Sequence, residues 1–393
     1  MTGGRGAGAA VPFGSHTRPY PPGTLRPSGD PEAADRRVLD HYLRWKACFV
    51  RSGIGGEEDR YAVHTPDAAH PYVAEAQGYG LVITALMAGA DPGARTVFDG
   101  ILRHVRAHPS VNDPELHAAQ QDDRGRDVGG TDSATDGDLD IAYGLLLAGC
   151  QWGGDSGGDY TELALRRIQA VKDREVHPVT RLMKLGDWSC DGWDAVSRTS
   201  DGMPGHFRAF RAATGDPFWD EVLDAQLTLT GTLQRQYAPE TGLLPDFVVD
   251  TTTGRPRPAP SQVLESPHDG DYHWNACRVP WRLGADAALG GDPRSGEAAR
   301  RISRWARTAT GGDPDRIGCG YRLDGRCYAA GWSPAFAAPL AVAALTDDGA
   351  QGWLDALWER LCATPPDPGR AYAAGVQLQS MLLISRNAWT PWR

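Results

Sequence analysis

Three stretches of the chain place carboxylates where a proton could be exchanged with a bound molecule. The first, residues 74–89, reads AEAQGYGLVITALMAG. Glu75 stands at the start of an apolar helical run, where a carboxylate complements the positive end of the helix dipole. Gly78 and Gly80 follow within the first turns, each at a cost of roughly 1 kcal/mol of helix propensity relative to alanine. Glycine at such positions points to close approach by a neighbouring helix or a ligand. The second stretch, residues 131–149, reads TDSATDGDLDIAYGLLLAG. Thr135 followed by Asp138 is a capping-box variant, which puts Asp136 on the first helical residue. A calcium loop beginning at Asp136 fails, because Ile141 and Leu147 stand where its glycine and its closing glutamate belong. The third, residues 261–289, runs from a proline-rich loop into a helix and crowds Glu265, His268, Asp269, Asp271 and His273 together. Their spacing fits no common metal site. Taken alone, each stretch also suits a structural role as helix capping or solvated loop.

The elements that position these residues are helical. ALMAGADPGARTVFDGIL, FRAATGDPFWDEVLDAQL and ADAALGGDPRSGEAARRI share one plan. An apolar helix ends at Gly89, Gly215 or Gly291, each able to take the left-handed conformation past a helix end. Asp91, Asp216 or Asp292 then caps the next helix, and Pro92, Pro217 or Pro293 suits its first turn. Three such junctions predict a succession of antiparallel helical hairpins, about ten to twelve helices in one all-α domain over residues 34–393. A closed ring of hairpins and an open solenoid both satisfy this pattern. LLPDFVVDTTTG is the best strand candidate. Residues 1–33, rich in Gly, Pro, Ser and Arg, read as a flexible N-terminal arm.

Bulk properties narrow the partners. The formal net charge is −10 and no Lys/Arg block stands out, which argues against nucleic acid. No apolar run approaches the roughly 18 residues that span a bilayer. Thirteen tryptophans and twelve tyrosines are many for this size; core packing explains most of them, and the flat C–H faces of sugar rings suit the remainder. Seven cysteines leave at least one unpaired; Cys319 and Cys327 flank a turn and are placed to close a small loop. No CxxC pair suggests zinc, no signal peptide is visible, and nothing requires a cofactor.

Read together, the three acidic stretches resemble glycoside hydrolase family 8. The family's Ser-Glu-(Gly/Ala)-x-Gly-Tyr-Gly motif stands here as Ala74-Glu75-Ala76-Gln77-Gly78-Tyr79-Gly80, and its Ala-(Ser/Thr)-Asp-(Ala/Gly)-Asp signature as Ala134-Thr135-Asp136-Gly137-Asp138. Its Asn/Asp-Ala-x-Arg-x-Pro element is similar to Asn275-Ala276-Cys277-Arg278-Val279-Pro280. GDW at Gly186 to Trp188, SRTSDGMPGHFRAF at Ser197 to Phe210, and YRLDG…SPAF at Tyr321 to Phe336 match in the same order.

The resemblance implies an (α/α)6 barrel with an acidic cleft across one end and hydrolysis with inversion. It implies Glu75 as general acid and Asp136 as the second acidic residue, holding the distorted central sugar. In one branch of the family an aspartate at the position of Asn275 is the base. The branch with asparagine there recruits a glutamate from the preceding loop. Glu265, the only glutamate between Glu240 and Asn275, is then the candidate base, with Asp269 and Asp271 as alternatives and Asn275 left to position the water. Motif positions put Tyr79, Trp188, Asp201, Tyr272 and Arg278 along the cleft. Ala74 replaces the usual serine, and Ala119 stands where a tryptophan is usual, removing a sugar platform. The implied activity is endo-cleavage of β-1,4-linked glucan, cellulose or mixed-linkage β-glucan, by a secreted monomer acting on polysaccharide. Chitosan is the first alternative, slightly favoured by the negative charge, xylan the second, and a non-catalytic glycan-binding protein the third.

Overall fold

The computed structural model describes residues 8–153 and 159–392. Twelve α-helices among those residues alternate between an outer and an inner position. In chain order they are α1 (Pro31–Phe49), α2 (Ala74–Leu86), α3 (Ala94–Ala107), α4 (Thr135–Trp152), α5 (Tyr160–Arg174), α6 (Pro204–Thr214), α7 (Phe218–Tyr237), α8 (Val279–Ala288), α9 (Pro293–Thr310), α10 (Pro334–Ala344), α11 (Gln351–Cys362) and α12 (Ala371–Ile384). Each even-numbered helix packs on its even-numbered neighbours, and α12 returns to α2. The ring closes, so the hairpins form an (α/α)6 barrel and not a solenoid.

The two rings differ in sequence because only the outer one meets water. In α9, Ala299, Ile302, Ser303 and Ala306 are buried while Arg294, Glu297 and Arg304 are exposed, a one-sided pattern. Of the inner helices, α2, α10 and α12 have no solvent face. Every residue of α10 after Pro334 is buried; in α2 the sole exception is Glu75, and in α12 it is Tyr372. Both exceptions lie in the first turn of their helix, at the same end of the barrel.

Glycine sets the spacing between inner helices. A β-carbon on Gly137 would lie 2.5 Å from that of Ala74, and one on Gly78 2.7 Å from that of Asp140. α2 and α4 therefore meet almost backbone to backbone, which accounts for the costly glycine near Glu75. At the junctions, Gly89 (φ +91°) and Gly215 (φ +71°) are left-handed as expected. At the third, Gly290 (φ +86°) takes that role, and Gly291 instead makes room for the Asp286 carboxylate. Asp91, Asp216 and Asp292 accept the N–H groups of Gly93, Phe218 and Arg294 at 2.8, 3.0 and 2.8 Å. Only Pro293 falls inside its helix, since Pro217 is the capping residue of α7 and α3 starts after Pro92.

Several sequence expectations are corrected. From Gly8 onward the supposed flexible arm is packed on the barrel. Val11 and Tyr20 are buried, Phe13 N–H donates to Ala88 O at 2.8 Å, Leu25 N–H donates to Leu345 O at 2.9 Å, and Tyr20 Oη donates to Ala388 O at 2.9 Å. Proline-rich composition marks an extended segment with little conformational freedom to lose, and here it lies across four helix ends. The capping box at Thr135 does not form. Ala134 is the capping position, Asp136 is the second residue of α4, and Asp138 is turned inward to Arg167 and the His117 N–H. Cys319 and Cys327 are free thiols, as are the other five cysteines; their loop is closed by backbone bonds such as Cys319 N–H to Ala329 O at 2.9 Å. The strand candidate holds as Phe247–Val249, the centre of a small antiparallel sheet between Ser197–Arg198 and Arg257–Pro258. No described helix is long and apolar enough to cross a membrane.

Overpacking at the α2–α4 contact should cost about 1–3 kcal/mol. Gly137→Ala is expected to lower the denaturation midpoint accordingly. Gly352→Ala in α11, where a β-carbon meets nothing within 4 Å, should be neutral or stabilising by up to about 1 kcal/mol. Equal midpoints for the two variants in urea unfolding would refute this account of the packing.

Candidate active site

The N-terminal ends of α2, α4, α8 and α12 converge on a cavity of about 480 Å3. Helix N-termini present unpaired N–H groups and a positive dipole end, so carboxylates settle there. Glu75 and Asp136 do so on the second residues of α2 and α4. Arg278, at the capping position of α8, is 2% exposed. Its guanidinium donates to Glu75, to Asp136 at 2.8 Å and to Asn275 Oδ1 at 2.9 Å. A second guanidinium, that of Arg198, lies 3.3 Å from Asp136, 3.3 Å from Glu265 and 3.6 Å from Asp201.

Glu265 reaches the cavity from the loop before α8, with its side chain 46% exposed. Asn275 Nδ2 donates to its carboxylate at 2.8 Å and to Asp246 at 3.3 Å. Both amide hydrogens and the amide oxygen of Asn275 are thus engaged by protein groups, and the side chain orients the Glu265 carboxylate. Tyr79 Oη donates to Glu75 at 2.8 Å.

This arrangement separates the two inner carboxyls electrostatically. Burial pushes the Glu75 carboxyl above the ordinary carboxylate range; the Arg278 guanidinium pulls against this and the Asp136 charge adds to it. Burial acts the same way on Asp136, but Arg198 and Arg278 outweigh it and hold that carboxyl below its usual value. Asp136 therefore carries the negative charge and Glu75 retains a proton more readily, the separation that acid catalysis needs. Burial also drives Asp201 and Asp246 up to about 7.

The cavity brings together Glu75, Asp136, Glu265, Asn275 and Arg278 of the residues named from sequence. Four others do not line it. Tyr79 is buried behind Glu75 against Trp281. Asp201 is fully buried beside Arg198. Tyr272 is core, its ring packed on Tyr321 and Phe336. Trp188 leans on a small apolar cluster of Leu185, Val196 and Phe247 at the flank. The alternative bases are occupied elsewhere: Asp269 is fully buried and bonded to three backbone amides, and Asp271 binds Arg322 at 2.6 Å and His268 at 2.9 Å. Sequence reasoning missed Arg198, Trp274 and Tyr372, which line the cavity, and Asp246 beneath Asn275. Trp274 and Arg198 lay inside or beside recognised motifs; nothing in the sequence marked Tyr372.

The folded state binds the Glu75 proton more tightly than the unfolded chain does. Stability therefore falls as pH rises from the ordinary glutamate value toward the raised one. Glu75→Gln removes that loss. Its melting temperature relative to the parent should rise progressively as pH increases above the ordinary glutamate range, followed by thermal unfolding; a pH-independent difference would contradict the raised value.

Residues 40–285 match the model of glycosyl hydrolases family 8. A β-glucanase of Niallia circulans is 36% identical over 381 residues, covering 96% of this chain and 91% of that protein. An endoglucanase of Bacillus sp. (strain KSM-330) is 34% identical over 379 residues, covering 94% and 80%. The apo structure of a β-1,3-1,4-glucanase from Paenibacillus sp. X4 superposes with a TM-score of 0.92 at 36% identity, covering 97% of this chain and 99% of that one. With its twelve-helix ring and its carboxylates gathered on Arg278, the chain belongs to glycosyl hydrolase family 8 and is a glycoside hydrolase.

Proposed function

We propose that the enzyme cleaves β-glucan chains internally and with inversion, mixed-linkage β-1,3-1,4-glucan foremost, using Glu75 as general acid and Glu265 as general base. The observation that carries this reading is the opposite displacement of Glu75 and Asp136 about the shared Arg278 guanidinium. The names of the β-glucanase, endoglucanase and β-1,3-1,4-glucanase relatives support the substrate class.

Glu75 gives its proton to the glycosidic oxygen as the bond to C1 breaks. A water on the opposite face of the sugar adds to C1 and yields a proton to Glu265. Inversion requires the two carboxyl groups to stand about 6.5–9.5 Å apart. Asp136, held ionised, stabilises the positive charge that develops on the ring. The amide of Asn275 cannot take a proton. Its contact with Glu265 supports membership of the branch in which a loop glutamate replaces the aspartate base. Trp274, 38% exposed, and Tyr372 offer faces for sugar rings. A polymeric glucan cannot enter a cell, so this reading implies an enzyme that works outside it.

Reducing-end release from barley β-glucan, carboxymethylcellulose, chitosan and xylan tests the substrate, with barley β-glucan expected to rank first. Proton NMR of the nascent ends should show the α-anomer; a β-anomer would refute inversion. Glu265→Ala should lose about 10²–10⁴-fold in kcat while keeping the parent's circular dichroism. Near-parental turnover would remove Glu265 from the mechanism.

A further inference from the structure

Glu265 is carried by a loop, yet its backbone is fixed. The fully buried Asp269 turns its carboxylate back along the chain and accepts the N–H groups of Leu264, Glu265 and Ser266 at 2.7, 3.2 and 2.8 Å. Its own place is set by the sheet: its carbonyl accepts the Phe247 N–H at 2.8 Å. The preceding residue, Asp246, performs the equivalent task for the facing segment. Its carboxylate accepts the N–H groups of His273, Asn275 and Ala276 at 3.0, 3.1 and 2.7 Å. Phe247 at the start of the strand and Asp246 just before it thereby anchor the Glu265 turn and the Asn275 turn against one another. Hydrogen bonds to an ionised acceptor are the strong ones, and a buried carboxylate needs them to offset its desolvation. Beyond this clamp the Glu265 turn is closed by two backbone bonds to Ser266 O, from Gln262 N–H at 2.9 Å and from Asp269 N–H at 3.4 Å.

We propose that Asp269 is a positioning residue for hydrolysis: by gathering the three amides around Glu265 it holds that carboxylate on Asn275 and Arg198, where it meets the attacking water. The inference rests on Glu265 being the base. Asp269 is fully buried and does not line the cavity. Its contribution is geometric, and it belongs to kcat more than to sugar binding, because Trp274, Tyr372 and Arg278 stand on other parts of the fold.

The test compares Asp269→Asn, Asp269→Ala and Glu265→Ala on barley β-glucan. Misplacing a reacting group by about 1 Å costs on the order of 100-fold, so both Asp269 variants should lose about that factor in kcat with KM changed by no more than about twofold. Azide, a small anion able to occupy the space of a missing carboxylate, should restore part of the turnover of Glu265→Ala and none of that of Asp269→Asn, where the Glu265 side chain remains. Parental kcat in Asp269→Asn beside an inactive Glu265→Ala would overturn the positioning role and leave the base assignment standing. Parental kcat in Glu265→Ala would overturn the base assignment and the inference with it. If Asp269→Ala does not fold, the near-isosteric Asp269→Asn decides on the same readouts. If neither folds, or if KM rises as much as kcat falls, Asp269 is a structural residue and the inference fails.

Discussion

The guanidinium of Arg278 is the point on which the cleft end of the barrel depends. It joins Glu75, Asp136 and Asn275, which belong to three segments far apart in sequence. A guanidinium this deeply buried is tolerated only when its donors are met by charged or polar partners. Removing α2 or α4 from the ring would leave part of the cluster unmatched. The carboxylates gain in turn from the helix N-termini on which they sit. Below this layer a second one repeats the device, with Asp140 bound to Arg282 at 2.6 Å and to His206 at 2.7 Å. Two tiers of ion pairs along the barrel axis thus fix the register of inner helices whose apolar surfaces, rich in alanine and glycine, would otherwise permit sliding.

Much of this was legible in the sequence, for identifiable reasons. The Gly-Asp-Pro junctions encode hairpins because left-handed glycine, capping aspartate and proline each answer a local backbone demand. Glu75 and Asp136 were found because helix starts are local too. What failed was side-chain direction. Tyr79, Asp201 and Tyr272 sit in or near motifs, yet each points into the interior, and spacing along a chain does not reveal which side of an inner helix or turn faces the cavity. Tyr372 escaped because only closure of the ring brings α12 beside α2. The N-terminal segment was misread because its composition resembles that of disordered chains, while its docking depends on acceptors at Ala88, Gln151 and Leu345 that a local reading never sees.

Glu75 and Glu265, proposed as acid and base, are built on different kinds of support. Glu75 rides on a helix locked by Gly78 and Gly137 against its neighbour, and nothing there can shift without a clash. Glu265 rides on a loop, and precision there comes from buried carboxylates that collect backbone amides. The arrangement leaves Glu75 invariant in position while the Glu265 side of the cleft is free to differ in loop length and sequence. Such a division suits a fold that serves more than one polysaccharide.

The closing contact of the ring, α12 on α2, has a consequence for biosynthesis. α2, which begins at Ala74, leaves the ribosome well before α12, which begins nearly 300 residues further along the chain at Ala371. At about 5–20 residues per second, the interval between them is tens of seconds. Throughout it the apolar inner face of α2 has one flank uncovered, and the cavity wall to which Tyr372 belongs does not exist. The barrel is therefore a structure that its final helix completes, and the nascent chain spends its synthesis as an open arc in need of protection from aggregation.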